Sequence, residues 1–145
     1  IKHKTGWFDP MMTTGCSMGA YHAVNFFLQH PDVFNKVIAL SGVYDARFFV
    51  GDCLDDEAIY QNSPADYIWN QNDGWFIDRY RNADIIVCTG LGAWEQDGLP
   101  SFYTLKEAFE HKNIPAWFAE WGYDVSHDWI WWRKQMPYFL SQLNL

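Results

Sequence analysis

Apolar residues along this chain recur at two spacings, and the spacing switches several times. Ala20, Ala23, Val24, Phe27 and Leu28 fall three and four residues apart, which predicts a helix over 20–30 with one broad buried face, stopped by Pro31. The short continuous run at 36–40 ends in Ser41-Gly42 and predicts a strand covered on both faces of a parallel sheet. A second such run, 84–89, closes on Gly90. Residues 10–14 and 114–121 read as the first and last strands, and residues 1–9 as the tail of a helix and a loop. Ser101 is a suitable N-cap for a helix to about residue 112, with Leu105, Ala108 and Phe109 as its buried stripe. Trp129, Trp132, Met136 and Leu140 mark one face of a closing helix, with a kink or break expected at Pro137. Residues 46–82 are the least regular: turns are expected at Gly51-Asp52, Asn62-Ser63-Pro64 and Asn72-Asp73-Gly74, and Ser63 before Pro64 makes a helix start. This stretch either roofs a pocket or packs at the periphery.

Strands alternating with helices at this spacing predict an α/β fold with right-handed crossovers and a mainly parallel sheet of about four strands flanked by helices. In such sheets ligands bind at the carboxyl ends of the strands. Ser17, Asp45, Glu95 and His127 each follow a predicted strand, so all four are expected on that edge.

Composition narrows the class. A chain of 145 residues suits one domain, and an apolar fraction of 49% is ample for a core. A net charge of -8 argues against nucleic acid and against an anionic membrane surface as partners. No apolar run approaches the roughly 18 residues of a spanning helix, and no signal peptide precedes the first strand. Cys16, Cys53 and Cys88 lack zinc or Cys-x-x-Cys spacing, and their odd number favours reduced thiols. Cys88, inside an apolar run, reads as a core residue. No cofactor and no metal is expected, and the expected location is cytoplasmic.

The candidate chemistry centres on Gly15-Cys16-Ser17-Met18-Gly19, a Gly-x-Ser-x-Gly turn between a predicted strand and a predicted helix. Such a turn holds a serine hydroxyl at the mouth of a pocket and calls for small residues two before and two after it. The helix points its N-terminal amides at the place where negative charge develops in acyl transfer. A serine hydroxyl also needs a base within hydrogen-bond reach and a carboxylate to orient that base. His127 is the expected base, because it alone of five histidines sits in a loop after a strand late in the chain. His22 would point along its helix, His30 reads as a helix C-cap and His3 as a solvated loop residue. Glu95, in the loop after the third predicted strand, is the preferred acid; Asp97 is the runner-up and Asp45 a geometric alternative. The Met18 backbone N–H is the expected oxyanion donor, and a second donor from an early strand–helix loop is not in the sequence.

These stretches resemble a known family. Thr14 to Ala23 around the turn, Phe34 through Gly42, Gly92-Ala93-Trp94-Glu95, and Ser126-His127-Asp128-Trp129 with Trp132 are similar to the putative-esterase family of α/β hydrolases. That family includes S-formylglutathione hydrolases, feruloyl and acetyl esterases, enterochelin esterases and mycolyltransferases. The resemblance implies an α/β-hydrolase fold, Ser17 as nucleophile, His127 as base and Glu95 where the family often has Asp. It covers nearly the whole chain but only the C-terminal half of the family's domain. Residues 1–145 are therefore expected to form one domain, the C-terminal half of a catalytic domain that starts before Ile1.

The expected function is that of a serine esterase that forms an acyl-enzyme on Ser17 and takes a small-molecule ester; transfer to another alcohol is the related activity. The alternative is a catalytically incomplete half-domain whose open first-strand edge pairs with another chain, either a second copy or the missing N-terminal half. Trp94, Trp121, Trp129, Trp131 and Trp132 lie near the predicted catalytic loops, where they either line an aromatic crevice or fill the core.

Overall fold

In the computed structural model, which describes residues 2–51 and 56–143, the apolar runs become four parallel strands lying side by side in chain order. They are β1 (Met11–Cys16), β2 (Phe34–Leu40), β3 (Asp84–Thr89) and β4 (Trp117–Glu120). Register brings their carboxyl ends level: Cys16 pairs with Leu40, Leu40 with Cys88, and Thr89 with Glu120. The helices are α1 (Lys2–Thr5), α2 (Met18–Gln29), α3 (Arg47–Val50), α4 (Asp56–Gln61), α5 (Pro64–Asn70), α6 (Gly74–Arg81), α7 (Leu99–His111) and α8 (Trp129–Leu140).

Successive side chains of a strand point to opposite faces, and here both faces are covered. Val37, Ala39, Ile85 and Val87 join α2, α5, α6 and α7 in the larger core. Ile38, Leu40, Ile86 and Cys88 meet Trp132 and Phe139 of α8 in the smaller one. Each large aliphatic side chain so buried stabilises the fold by about 1.5–3 kcal/mol relative to exposure, which is why the strands read as unbroken apolar runs. β1 is paired on one side only.

Several local expectations need correction. α7 starts at Leu99 instead of capping on Ser101, because Pro100 supplies helical φ one position earlier. The Ser101 hydroxyl instead donates to the Gly98 carbonyl and accepts the Tyr44 N–H at 2.8 Å. Ser63 does precede a helix, but its hydroxyl accepts the Ala46 N–H and does not cap. Pro137 does not break α8, which runs on to Leu140. Pro137 and Arg133 are both exposed, so the carbonyl that loses its donor faces water. The 46–82 stretch is mostly helical, and Ile68, Ile77 and Tyr80 from it enter the larger core. β4 spans four residues, fewer than expected, since only Trp117 to Glu120 pair with β3. Asp52 of the expected 51–52 turn and Cys53 lie outside the described residues.

Candidate active site

Ser17 joins β1 to α2 with φ 56° and ψ -126°, a conformation that non-glycine residues rarely adopt. Its N–H donates to the Leu40 carbonyl at 2.9 Å, so the strained residue is still tied to the sheet. A Cβ on Gly15 would stand 2.2 Å from the Gly19 carbonyl group, so only glycine fits there. A small residue was expected at Gly19 as well, but a Cβ there would meet open space. The two positions differ because the Gly15 α-carbon faces the backbone of Gly19, while the Gly19 α-carbon faces away. Met18 opens α2, so its N–H has no acceptor within the helix.

His127 arrives on the loop between β4 and α8. Asp128 caps α8 by accepting the Ile130 N–H, which fixes the residue just before it. This loop lies against the one that carries Glu95: the Gly92 N–H donates to the Val125 carbonyl, and the His127 N–H to the Ala93 carbonyl, each at 2.9 Å. His127 Nε2 is 2.8 Å from Ser17 Oγ, and His127 Nδ1 is 3.3 Å from Glu95 Oε2. With the ring hydrogen on Nδ1, the ring donates to Glu95 and accepts the serine hydroxyl.

Glu95 is 2% exposed, which makes its contacts decisive for a charged group. Besides His127, its Oε1 accepts the Ser41 hydroxyl at 2.7 Å. Ser41 in turn accepts the indole N–H of Trp132 at 3.0 Å, and the Trp132 ring meets His127 edge-on at 4.9 Å. Of the three acids weighed from sequence, Glu95 reaches His127; Asp97 lies exposed at the mouth of the cavity, and Asp45 is bonded to Arg47. Sequence reasoning read Ser41 only as a turn residue. Its place directly after β2, on the carboxyl edge, was the available signal.

The cavity above Ser17 holds about 250 Å³, and Val43, Phe48, Phe49 and Trp94 supply its apolar wall. Phe48 and Phe49 belong to α3, so this part of the irregular stretch borders the site. Of the five tryptophans, Trp94 alone lines the cavity. Trp132 is buried against His127, Trp129 stacks edge-on against Trp132, Trp121 meets Tyr138 and Phe139, and Trp131 lies under Lys134. No continuous tryptophan crevice forms. Cys16 and Cys88 carry free thiols that burial pushes up, so neither competes with Ser17 as an anionic nucleophile. His22 is exposed on α2 and stacks on Phe26.

The sequence matches the family described as Putative esterase over residues 2–143. The chain belongs to the putative-esterase family. No curated protein gives a significant match to this esterase-family chain. Solved structures share its fold: a ferulic acid esterase at 22% identity and TM-score 0.68, an S-formylglutathione hydrolase from Staphylococcus aureus at 20% and 0.61, and another from Agrobacterium tumefaciens at 16% and 0.70. They cover 88%, 90% and 89% of this chain, which spans 47%, 49% and 46% of theirs. The family member described here thus has the α/β-hydrolase fold and just under half the length of these structures. Among its described residues, no helix is long and apolar enough to cross a membrane.

Proposed function

We propose that this chain carries the acyl-transfer machinery of a serine esterase acting on a small carboxylic ester. The 2.8 Å contact between Ser17 Oγ and His127 Nε2, backed by Glu95, is the observation that carries the reading. Ser17 Oγ attacks the ester carbonyl carbon while its proton passes to His127 Nε2. The oxyanion forms beside the Met18 N–H, and α2 favours negative charge there. Collapse expels the alcohol, which takes the proton back from His127. Water then attacks the acyl-enzyme, with His127 as base, and releases the acid and free Ser17. Buried Glu95 keeps the ring hydrogen on Nδ1 and balances the imidazolium that forms in each step. The apolar wall of Val43, Phe48, Phe49 and Trp94 favours an uncharged acyl or alcohol group next to the ester. Similarity to a ferulic acid esterase and to S-formylglutathione hydrolases supports the same class.

A fluorophosphonate probe, read by intact mass, tests this directly. One adduct on Ser17, absent in Ser17→Ala and at least about a hundredfold slower in His127→Ala, is the expected result. A folded chain that takes no adduct overturns the proposal.

A further inference from the structure

We propose that Ser41 and Trp132 are positioning residues that hold Glu95 in the one orientation useful to His127; the inference rests on the esterase reading above. The argument follows the hydrogens. An indole N–H only donates, so at the 3.0 Å contact with Trp132 the Ser41 oxygen must accept. A serine hydroxyl has a single hydrogen, and the remaining partner 2.7 Å away is Glu95 Oε1. Ser41 therefore donates to Oε1, and Oε2 is left to accept from His127 Nδ1. Each bond dictates the direction of the next, from the indole to the carboxylate.

Three features make this a purposeful arrangement and not one hydrogen bond among many. Ser41, Glu95 and Trp132 are 3%, 2% and 7% exposed, so solvent cannot replace a lost partner. Ser41 sits at φ 55°, and its N–H is held by the Cys88 carbonyl at 2.7 Å, which fixes the backbone that aims the hydroxyl. Glutamate has one more side-chain torsion than aspartate, and bonds to both oxygens remove that freedom. Trp132 adds a second restraint by packing its edge on His127.

The test uses Ser41→Gly, which removes the hydroxyl and suits the positive φ, and Trp132→Phe, which removes the N–H and keeps a ring. Circular dichroism establishes that each variant folds. For p-nitrophenyl acetate, Ser41→Gly is expected to lower kcat by about 10- to 100-fold with KM within about twofold, the loss of one bond to a buried charge. Trp132→Phe is expected to lower it by about three- to tenfold. In a Glu95→Ala background Ser41→Gly costs less than about twofold more, since Ser41 acts only through Glu95. An unchanged kcat, or an equal loss in both backgrounds, overturns the inference. Nitrogen NMR of His127 supplies a readout independent of turnover: a protected Nδ1–H resonance in the wild type, lost in Ser41→Gly as in Glu95→Ala. Were the wild type to take no phosphonate, the esterase reading would fall alone, and the Nδ1–H signal would still decide the role of Ser41.

Discussion

A Cβ on Gly90 would stand 2.2 Å from the carbonyl oxygen of Val125, so the loop carrying His127 rests on the end of β3 only because residue 90 has no side chain. Gly92 repeats the relationship at 2.6 Å. Gly90→Ala must push the histidine loop off the acid loop. It should cost about 1–3 kcal/mol of stability and lower kcat by more than about tenfold, since misplacements on this scale are costly to catalysis. Thermal melts and ester hydrolysis on the same sample check both; a variant as active as the wild type would refute the loop argument.

The two glycines of the elbow should behave oppositely. Gly15→Ala drives a methyl group into the Gly19 backbone and is expected to destabilise by about 3 kcal/mol or more, so that little soluble protein is recovered. Gly19→Ala places its methyl group in open space within the first turn of α2, and its stability should lie between unchanged and about 0.5 kcal/mol higher. Urea melts of the pair discriminate; equal losses would show that the contact at Gly15 is misassigned.

Among the carboxylates, Glu95→Gln should cut ester turnover by about a thousand- to ten-thousandfold, the scale seen when the orienting acid of a serine triad becomes an amide. Asp97→Asn and Asp45→Asn should stay within about twofold, the latter losing only an exposed ion pair of less than about 1 kcal/mol. Matched kinetics on the three variants decide the assignment.

Alkaline pH should weaken the fold. Burial pushes Cys88, Tyr44 and Tyr80 above their ordinary values of 9.0, 10.0 and 10.0. Each group stays neutral in the folded chain while the unfolded chain ionises, so the unfolded state binds fewer protons. Their contribution is fully present below about pH 9 and is lost as pH rises above it. Denaturant midpoints should fall from about pH 9 upward, and Cys88→Ala should flatten the first part of that fall. A midpoint independent of pH to about pH 10.5 would contradict this.

The outer edge of β1 should promote self-association. Met11 and Ser17 donate their N–H groups toward β2, so by strand alternation Thr14 points its N–H to the open side. Light scattering should show a dimer at high concentration, and Thr14→Pro should return it to monomer without taking a bond from the β1–β2 ladder. A monomer at all concentrations would count against the open edge as an interaction surface.

Strand order and the meeting of Ser17, Glu95 and His127 were legible in the sequence because both follow from chain order: parallel strands lead every loop of one edge to the same side. The capping roles of Ser63 and Ser101 were not, since their hydroxyls are claimed by Ala46 and Tyr44 backbone groups far away in sequence. Ser41 was hidden for the same reason, its partners lying 54 and 91 residues on. Gly19 looked as necessary as Gly15 because a pattern of small residues does not say which α-carbon faces the other backbone. The role of Phe48 and Phe49 depended on where a short helix falls, and period carries no information over four residues.

Ser17 and His127 are 110 residues apart, one following β1 at an edge of the sheet and the other following β4 at the opposite edge. Their contact closes the longest loop in the site, and it requires all four strands to be in register first. Such a contact is entropically the last to form and the first to be lost. Reactivity of Ser17 is therefore a clock for refolding: helix signal will return while the serine is still inert, and the interval between the two measures the final docking of the histidine loop.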